Sequence, residues 1–151
     1  MEKEIMKRLI FALTICMALV ACDIETSGNG DFDGLWQLRQ VDTLATGGTT
    51  DMRQSMIYWA VQNRLIEVRL LENEESNGTG YLFHFDRTGD LLNLSVPYLH
   101  LRDEPDEEVT DLEVMRPFGF DALQQSFAIK RLDSDKMILE TQYLRLHFRK
   151  Y

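Results

Sequence analysis

The sequence predicts an all-β protein, namely an eight-stranded antiparallel barrel with one short helix before the last three strands. Two observations predict this fold. Apolar and polar residues alternate in short segments along most of the chain, which is the pattern of strands with one buried face. Turn sequences rich in Gly, Asn and Asp separate these segments. Closure of such a sheet removes its exposed edges, and eight strands enclose an interior that side chains fill or that holds one small ligand.

The composition is that of one folded, acidic domain. The chain has 151 residues, of which 44% are hydrophobic and 10% aromatic, and 16 Lys+Arg against 25 Asp+Glu give a formal charge of −9. These values exclude intrinsic disorder and collagen-like or coiled-coil repeats as the main description. They also make nucleic acid an unfavourable partner, because the sequence has no basic stripe that would neutralise phosphates.

The N-terminal segment has the pattern of a secretion signal. Three basic residues precede residues 9–20, an uncharged apolar run of twelve residues. As a helix this run would extend about 18 Å, which is short for a hydrocarbon core of about 30 Å. We therefore expect a signal peptide at residues 1–21, with Met6 as an alternative start that gives a more basic leading segment.

The signal segment ends in the sequence LVAC at residues 19–22, which resembles the bacterial lipobox. The resemblance implies cleavage before Cys22 and a diacylglyceryl thioether on its sulfur, so that acyl chains attach the protein to a lipid bilayer. Ordinary cleavage, or an uncleaved anchor, is the alternative. The expected organisation is a signal peptide (1–21), a lipidated Cys with a flexible polar tether (22–33) and a barrel domain (34–151).

Eight segments of the barrel domain have the alternation or the apolar content of strands. They cover residues 34–41, 55–62, 64–71, 81–85, 91–96, 126–132, 137–141 and 143–149. Residues 103–117 depart from this pattern. They begin with acidic side chains, which favour the positive end of a helix dipole, and then place Val109, Leu112 and Met115 at helical spacing before Pro117. This segment predicts the short helix.

The apolar faces of the strands supply a candidate core or ligand cavity. Its residues are Trp36, Leu38, Tyr58, Tyr81, Phe83, Phe85, Phe127, Ile129, Leu146 and Phe148. Both faces of residues 55–62 are apolar, and an inward Tyr58 would place Trp59 outside, where it would mark a contact surface. The same pattern suits a close-packed core and a hydrophobic cavity, so the sequence leaves both interpretations open.

Gly34, Leu35 and Trp36 at the start of the first strand, a meander of strands and an Arg in the last strand resemble the lipocalin/calycin superfamily. The resemblance implies that Trp36 closes one end of the barrel. It also implies that an Arg from the last strand packs across this Trp, with Arg149 as the first candidate and Arg145 as the second.

The chain places in order a lipobox, a polar tether, Asp-Gly-x-Trp at residues 33–36, a predicted helix ending in RPFGF at residues 116–120, and three C-terminal strands from residue 126. This layout resembles small lipocalin-like lipoproteins of Bacteroides and relatives, whose functions are mostly unassigned. This resemblance implies a location in the cell envelope of a Gram-negative bacterium and favours the outer membrane. Asp42, Thr43 and Leu44 are similar to the sequence at which such bacteria O-glycosylate exported proteins. Thr43 is therefore a candidate modification site.

The sequence lacks the patterns of an enzyme or of a metal site. His84, His100 and His147 have no zinc-type spacing, and neither a Gly-x-Ser-x-Gly sequence nor a Gly-rich phosphate loop is present. The acidic run at residues 103–108 lacks the ligand spacing and central Gly of a calcium loop. We therefore expect no catalytic residue, metal or cofactor.

These observations predict a membrane-anchored envelope protein that binds a small hydrophobic molecule in a barrel cavity. The alternative is a filled barrel that acts as a protein-interaction module, or that inhibits a basic enzyme such as lysozyme. The negative charge and the acidic residues within 103–113 would then supply the interaction surface.

Overall fold

The computed structural model of the chain describes residues 27–71, 80–101 and 104–151. The expected signal peptide, Cys22 and the first part of the expected tether lie outside the described residues. Asn77 and Gly78, which the sequence predicts as a turn before the strand at residues 81–85, also lie outside them.

The described residues form one antiparallel sheet of eleven strands. The strands are β1 (Gly34–Thr43), β2 (Gly48–Asp51), β3 (Ile57–Gln62), β4 (Leu65–Leu70), β5 (Gly80–Thr88), β6 (Leu91–Leu94), β7 (Tyr98–His100), β8 (Glu107–Glu108), β9 (Gln125–Leu132), β10 (Lys136–Glu140) and β11 (Leu144–Lys150).

Eight of these strands close into a barrel. The neighbours run in the order β4, β3, β1, β11, β10, β9, β6 and β5, and pairing of β4 with β5 closes the ring. Each predicted strand segment corresponds to one barrel strand, so the predicted eight-stranded antiparallel barrel is confirmed. Three further short strands lie outside the predicted segments: β2 extends the sheet beside β1, β7 pairs with β5, and β8 pairs with β7.

The predicted short helix is present only over the second half of residues 103–117, and its form differs from the expectation. Two successive 3-10 turns occupy Leu112–Val114 and Arg116–Phe118, and the acidic Glu107–Glu108 forms strand β8. The acidic residues therefore do not lie in the first turn of an α-helix. Gly119, in the left-handed region at φ 92°, ends the second turn.

The side chains of this segment explain its irregular form. Val109, Met115, Phe118 and Phe120 are all buried in the hydrophobic core. We call residues 109–120 the plug, because the segment inserts these side chains into one end of the barrel. This burial of apolar side chains outweighs the local helical spacing.

The core fills the interior of the barrel with side chains from every barrel strand. Trp36, Leu38, Trp59, Ile66, Val68, Phe83, Leu92, Phe127, Met137, Leu139 and Leu146 are fully buried. At the centre, the ring of Phe120 stacks on Trp59, with centres 5.2 Å apart, and on Phe83, with centres 4.8 Å apart. The plug thus supplies the central side chain of the core.

Trp36 lies at the other end of the barrel, near the start of β1. Its indole Nε1 donates a hydrogen bond of 2.8 Å to the carbonyl oxygen of Phe32, and it is fully buried. The expectation that Arg149 or Arg145 packs across it is wrong. Arg149 Nε lies 3.8 Å from an oxygen of Asp135, and Arg145 pairs with Glu140 at 2.7 Å.

The cation above Trp36 is that of Lys150. Both Arg149 and Arg145 have the opposite parity to the inward Leu146 and Phe148 of β11, so their side chains lie on the outer face of the barrel. Lys150 has the inward parity and pairs directly with Trp36 in the sheet. The cation that packs on Trp36 at this end of the barrel is therefore Lys150, and not the predicted Arg.

Candidate ligand-binding cleft

A cleft of about 630 Å³ lies at the end of the barrel that receives the plug. Its walls come from the end of β1, from β2 and the residue after it, from the plug, and from the turn between β10 and β11. The lining residues are Val41, Thr50, Met52, Arg116, Pro117, Gly119, Phe120, Asp121, Tyr143 and Leu144. Strand β2, which pairs only with β1 among the described strands, extends the wall beyond the barrel.

Phe120 forms the floor of the cleft. Its side chain is 1% exposed and stacks between Trp59 and Phe83 within the barrel. Gly119, the residue before it, packs so closely on Leu146 that a Cβ atom there would lie 2.9 Å from a methyl carbon of that side chain. Because Gly119 has no side chain, the plug can pack directly against Leu146. In this position the Phe120 ring separates the barrel interior from the cleft.

The polar groups of the cleft are few and mostly held in place. Arg116 Nε donates a hydrogen bond of 2.6 Å to Glu113. Asp121 accepts a hydrogen bond of 2.7 Å from the Thr141 hydroxyl through its side chain, and its backbone N–H donates to the side-chain oxygen of Gln125 at 3.2 Å. An apolar surface with a few fixed polar groups is the usual character of a small-molecule site.

The structure brings most of the predicted core or cavity residues together in the packed core. Trp36, Leu38, Phe83, Phe85, Phe127, Ile129, Leu146 and Phe148 belong to it, and Tyr81 is partly buried against it. None of these residues lines the cleft described above. The cleft lies on the side of Phe120 that faces away from these core residues.

Tyr58 requires a correction. Its side chain is buried, but it lies on the outer face of β3, where its ring contacts that of Tyr151 at 5.6 Å. Trp59 points inward instead, because it pairs directly with the inward Trp36, and paired residues of neighbouring strands share a face. Burial of the outer-face site raises the pKa of the Tyr58 hydroxyl. Because both faces of this segment are apolar, alternation could not distinguish the two orientations.

Most of the cleft residues could not be found by alternation, because all of them except Val41, Tyr143 and Leu144 lie outside the predicted strand segments. Phe120, Pro117 and Gly119 belong to the plug and its end, and Tyr143 lies in the turn before β11. One signal was present. Phe118 and Phe120 lie close together between Pro117 and the next strand, and two large aromatic side chains in a predicted connection indicate a segment that is buried against the core.

The remaining candidate residues lie apart from the cleft. His147 Nε2 lies 2.7 Å from Asp42 Oδ2, and His100 Nδ1 lies 2.8 Å from Asp106 Oδ1. Burial opposes ionisation of Asp42, but hydrogen bonds from His147, Gln40 and Thr49 outweigh it and lower the pKa of this carboxyl. Within residues 27–71, 80–101 and 104–151, no group of three or more His, Cys, Asp and Glu residues could hold a metal ion.

Thr43, the candidate modification site, is the last residue of β1. Its side chain is half-buried, and its carbonyl oxygen accepts a hydrogen bond of 2.9 Å from Gly47 in the turn before β2. In the part of the chain that the structure describes, no helix is both long and apolar enough to cross a membrane.

A family model described as a lipocalin-like domain matches residues 16–151. The chain belongs to this lipocalin-like family. The family's fold is typically one that binds ligands rather than one that catalyses reactions. No curated protein matches the chain significantly.

Two solved structures share the fold. A lipocalin-like protein from Bacteroides uniformis is 21% identical, with a TM-score of 0.60 over 81% of this chain and 100% of its own. An uncharacterized protein from Bacteroides eggerthii is 18% identical, with a TM-score of 0.57 over 79% of this chain and 98% of its own. At these identities the likeness establishes the barrel topology alone.

Proposed function

We propose that this lipocalin-like protein is a lipid-anchored envelope protein that binds a small hydrophobic molecule in the cleft beside the plug. The observation that carries the proposal is the apolar cleft of about 630 Å³ with Phe120 as its floor. The sequence pattern predicts a ligand site inside the barrel. Because the plug fills that position, the proposed site lies at the barrel's end.

The dimensions and chemistry of the cleft support this proposal. Small-molecule sites occupy roughly 300–1,000 Å³ and combine apolar walls with a few oriented polar groups. Here Val41, Met52 and Leu144 supply apolar wall, and Arg116 and Asp121 supply the oriented charges. Such a ligand would have an apolar body that covers Phe120 and a small polar part that reaches these charges.

The path of the chain is compatible with an anchor at Cys22. Strand β1 starts at Gly34, beside the Trp36 end of the barrel, lines the cleft with Val41 and ends at Thr43. At about 3.3 Å per residue, its ten residues separate the two ends by about 30 Å. A tether that enters at Gly34 would therefore join the barrel at the end opposite the cleft and would leave the cleft unobstructed. We place this anchor on the outer membrane of a Gram-negative bacterium.

Native mass spectrometry of the purified protein tests the binding function directly. After incubation with an extract of its own cells, the wild type should carry a small molecule that is released under denaturing conditions. Thr50→Trp should abolish or strongly reduce this occupancy, because Thr50 is exposed on the cleft wall and an indole there fills the space.

Thr88→Trp is the matched control, since it makes the same change at an exposed site on β5 that does not line the cleft. It should retain the bound molecule. A folded wild-type protein that emerges bare, or a Thr50→Trp variant that stays fully occupied, would contradict the proposed function.

The second candidate is interaction with a basic protein, and the acidic edge of the sheet favours it. Glu104, Asp106, Glu107 and Glu108 are exposed, and β8 pairs only with β7 among the described strands. Long-range attraction by these carboxylates would weaken as salt increases. Binding of lysozyme that is lost in Glu107→Gln/Glu108→Gln and at high ionic strength would support this function, and binding indifferent to both would oppose it.

A further inference from the structure

A second cavity, of about 360 Å³, lies on the outer face of the barrel against strands β1, β10 and β11. Its lining residues are Arg39, Asp135, Lys136, Ile138, His147, Phe148 and Arg149. None of them lines the cleft beside the plug. Three of these side chains are permanent cations and one is a carboxylate, although the chain as a whole has a formal charge of −9. The charge of this outer cavity is therefore opposite to that of the protein.

Arg39 lies at a β-bulge. The pairing of β1 with β11 shifts its register between Leu38 and Gln40, so Arg39 has no direct partner on β11. Arg39 Nη1 donates a hydrogen bond of 2.8 Å to the side-chain oxygen of Gln37, and the next residue, Gln40, pairs with the outward His147. Both bulge residues therefore face outward. Bulges redirect side chains and are frequent next to binding sites. This one leaves the guanidinium of Arg39 beside the cations of β10 and β11.

Lys136 and Arg149 are direct partners in the pairing of β10 with β11. Both have the opposite parity to the buried Met137 and Phe148 of their strands, so both face outward. Direct partners have their Cβ atoms about 5 Å apart, and like charges at that position repel each other. Asp135 offsets only part of this repulsion, because its carboxylate oxygen lies 3.8 Å from Arg149 Nε, which is too far for a hydrogen bond. An anion between the two cations would remove the rest.

Two further carboxylates near these strands have partners of their own. Asp42 Oδ2 lies 2.7 Å from His147 Nε2, and Asp42 Oδ1 accepts a hydrogen bond of 2.9 Å from the Thr49 hydroxyl. Asp51 accepts a hydrogen bond of 2.9 Å from Arg53 Nε. Neither Asp42 nor Asp51 lines the outer cavity. These carboxylates therefore do not neutralise the cations that face it.

We propose that the outer cavity binds the phosphate group of a phosphate monoester. Arg39, Lys136 and Arg149 against Asp135, that is three cations against one carboxylate, leave an excess of two positive charges. A phosphate monoester carries a charge of about −1.5 to −2 near neutral pH and has three acceptor oxygens, whereas a carboxylate carries half that charge on two oxygens. Guanidinium groups bind phosphate oxygens in pairs, and a Lys adds a point charge. This site is separate from the cleft and does not depend on the proposed function.

Phenyl phosphate and phenyl sulfate make a matched pair of probes. They share the ring and a tetrahedral group, and they differ by about one charge at pH 7.5. Calorimetry of the wild-type protein should show that phenyl phosphate binds at least about tenfold more tightly than phenyl sulfate. Arg39→Met and Lys136→Met each remove a charge and keep an apolar stem, and each should weaken the binding of phenyl phosphate at least about fivefold.

Arg145→Met is the matched control. Arg145 lies on the outer face of β11, like Arg149, but it pairs with Glu140 at 2.7 Å and does not line the cavity. The variant should bind phenyl phosphate as the wild type does. Absence of phenyl phosphate binding, equal affinities for the two probes, or a loss in Arg145→Met as large as that in Lys136→Met would overturn the proposal.

Vesicles distinguish the two sources of such a phosphate group, a membrane lipid and a soluble metabolite. Phosphatidic acid has a monoester headgroup and phosphatidylglycerol has a diester, and an acyl anchor would insert equally into vesicles of either lipid. Stronger cosedimentation with phosphatidic acid that is lost in Arg39→Met would support the proposal with a lipid headgroup as the ligand. Equal cosedimentation with both lipids, together with the preference for phenyl phosphate, would support it with a soluble phosphate monoester.

Discussion

The Nζ atom of Lys150 lies 4.7 Å from the centre of the Trp36 ring, and the two residues are direct partners in the pairing of β1 with β11. The same ammonium donates a hydrogen bond of 2.8 Å to the carbonyl oxygen of Asp31. Lys150 thus connects the last strand, the Trp at the barrel end and the segment that leads into β1. A cation over an indole ring and a charged hydrogen bond each stabilise a protein by about 1 kcal/mol.

Lys150→Met should lower the free energy of unfolding by about 1–2 kcal/mol, because it keeps the apolar stem and removes only the charge. Denaturant unfolding followed by tryptophan fluorescence measures this change. Arg149→Met is the control. The Arg149 side chain is exposed on the outer face, and its loss should change stability by less than about 0.5 kcal/mol. Equal effects of the two substitutions would contradict the assignment of Lys150 as the closing cation.

Parity explains how much of this end of the barrel the sequence could predict. Lys150 has the same parity as Leu146 and Phe148, but the predicted strand ended at residue 149, one residue short of the observed β11. Extending the alternation by one residue places a cation on the inner face. The expectation of an Arg at this place was implied by the lipocalin resemblance, whose candidates were Arg149 and Arg145. The local pattern was the better guide, because strand geometry fixes which side chains share a face.

The plug could not be predicted in the same way. Alternation identified the eight barrel strands because each strand carries its own buried face. Burial of Phe120 depends on Trp59 and Phe83, which are far from it in sequence, and on the absence of a side chain at Gly119. Local spacing in residues 103–117 therefore predicted a helix, whereas long-range packing produced 3-10 turns and a filled barrel. Because residues of the plug form part of the cleft wall, the position of the cleft could not be predicted without the position of the plug.

Gly119→Ala should test how tightly the plug fits. The residue has φ 92°, and an added Cβ would lie 2.9 Å from a methyl carbon of Leu146. Gly47→Ala is the matched control, because Gly47 has φ 69° and no atom lies within 4 Å of its added Cβ. Backbone strain alone costs about 1–2 kcal/mol, and the clash should destabilise Gly119→Ala by about 1–2 kcal/mol more, measured by denaturant unfolding. Equal losses would show that the plug moves away from Leu146 without cost.

Asp133 should contribute to the acid sensitivity of the fold. The backbone N–H of Asp135, the Arg131 guanidinium and the backbone N–H of Lys136 donate hydrogen bonds to its carboxylate and lower its pKa from 3.8 to about 2. A carboxyl whose pKa is lower in the folded state than in the unfolded state stabilises the fold at pH values above its unfolded-state pKa. This stabilisation disappears as the pH falls through its folded-state pKa. The affected range is therefore from about pH 4 down to about pH 2.

Asp133→Asn should make the melting temperature fall less steeply over this pH range than it does in the wild type, as measured by circular dichroism. Arg131→Gln should have an intermediate slope, because the two backbone donors remain. If the melting temperatures of the wild type and Asp133→Asn fall with the same slope over this pH range, the Asp133 carboxyl does not contribute to the acid sensitivity of the fold.

The membrane anchor gives a prediction that depends on one sulfur atom. If acyl chains on Cys22 hold the protein on a bilayer, Cys22→Ser should abolish labelling by a radioactive fatty acid and move the protein from the membrane fraction to the soluble fraction of a Gram-negative host. Two buried acyl chains give lasting attachment, and a polar tether alone gives none. Cys16→Ser is the control, because Cys16 lies within the expected signal peptide and should leave labelling unchanged. A Cys22→Ser variant that stays in the membrane fraction without label would instead indicate an uncleaved apolar segment at residues 9–20 as the anchor.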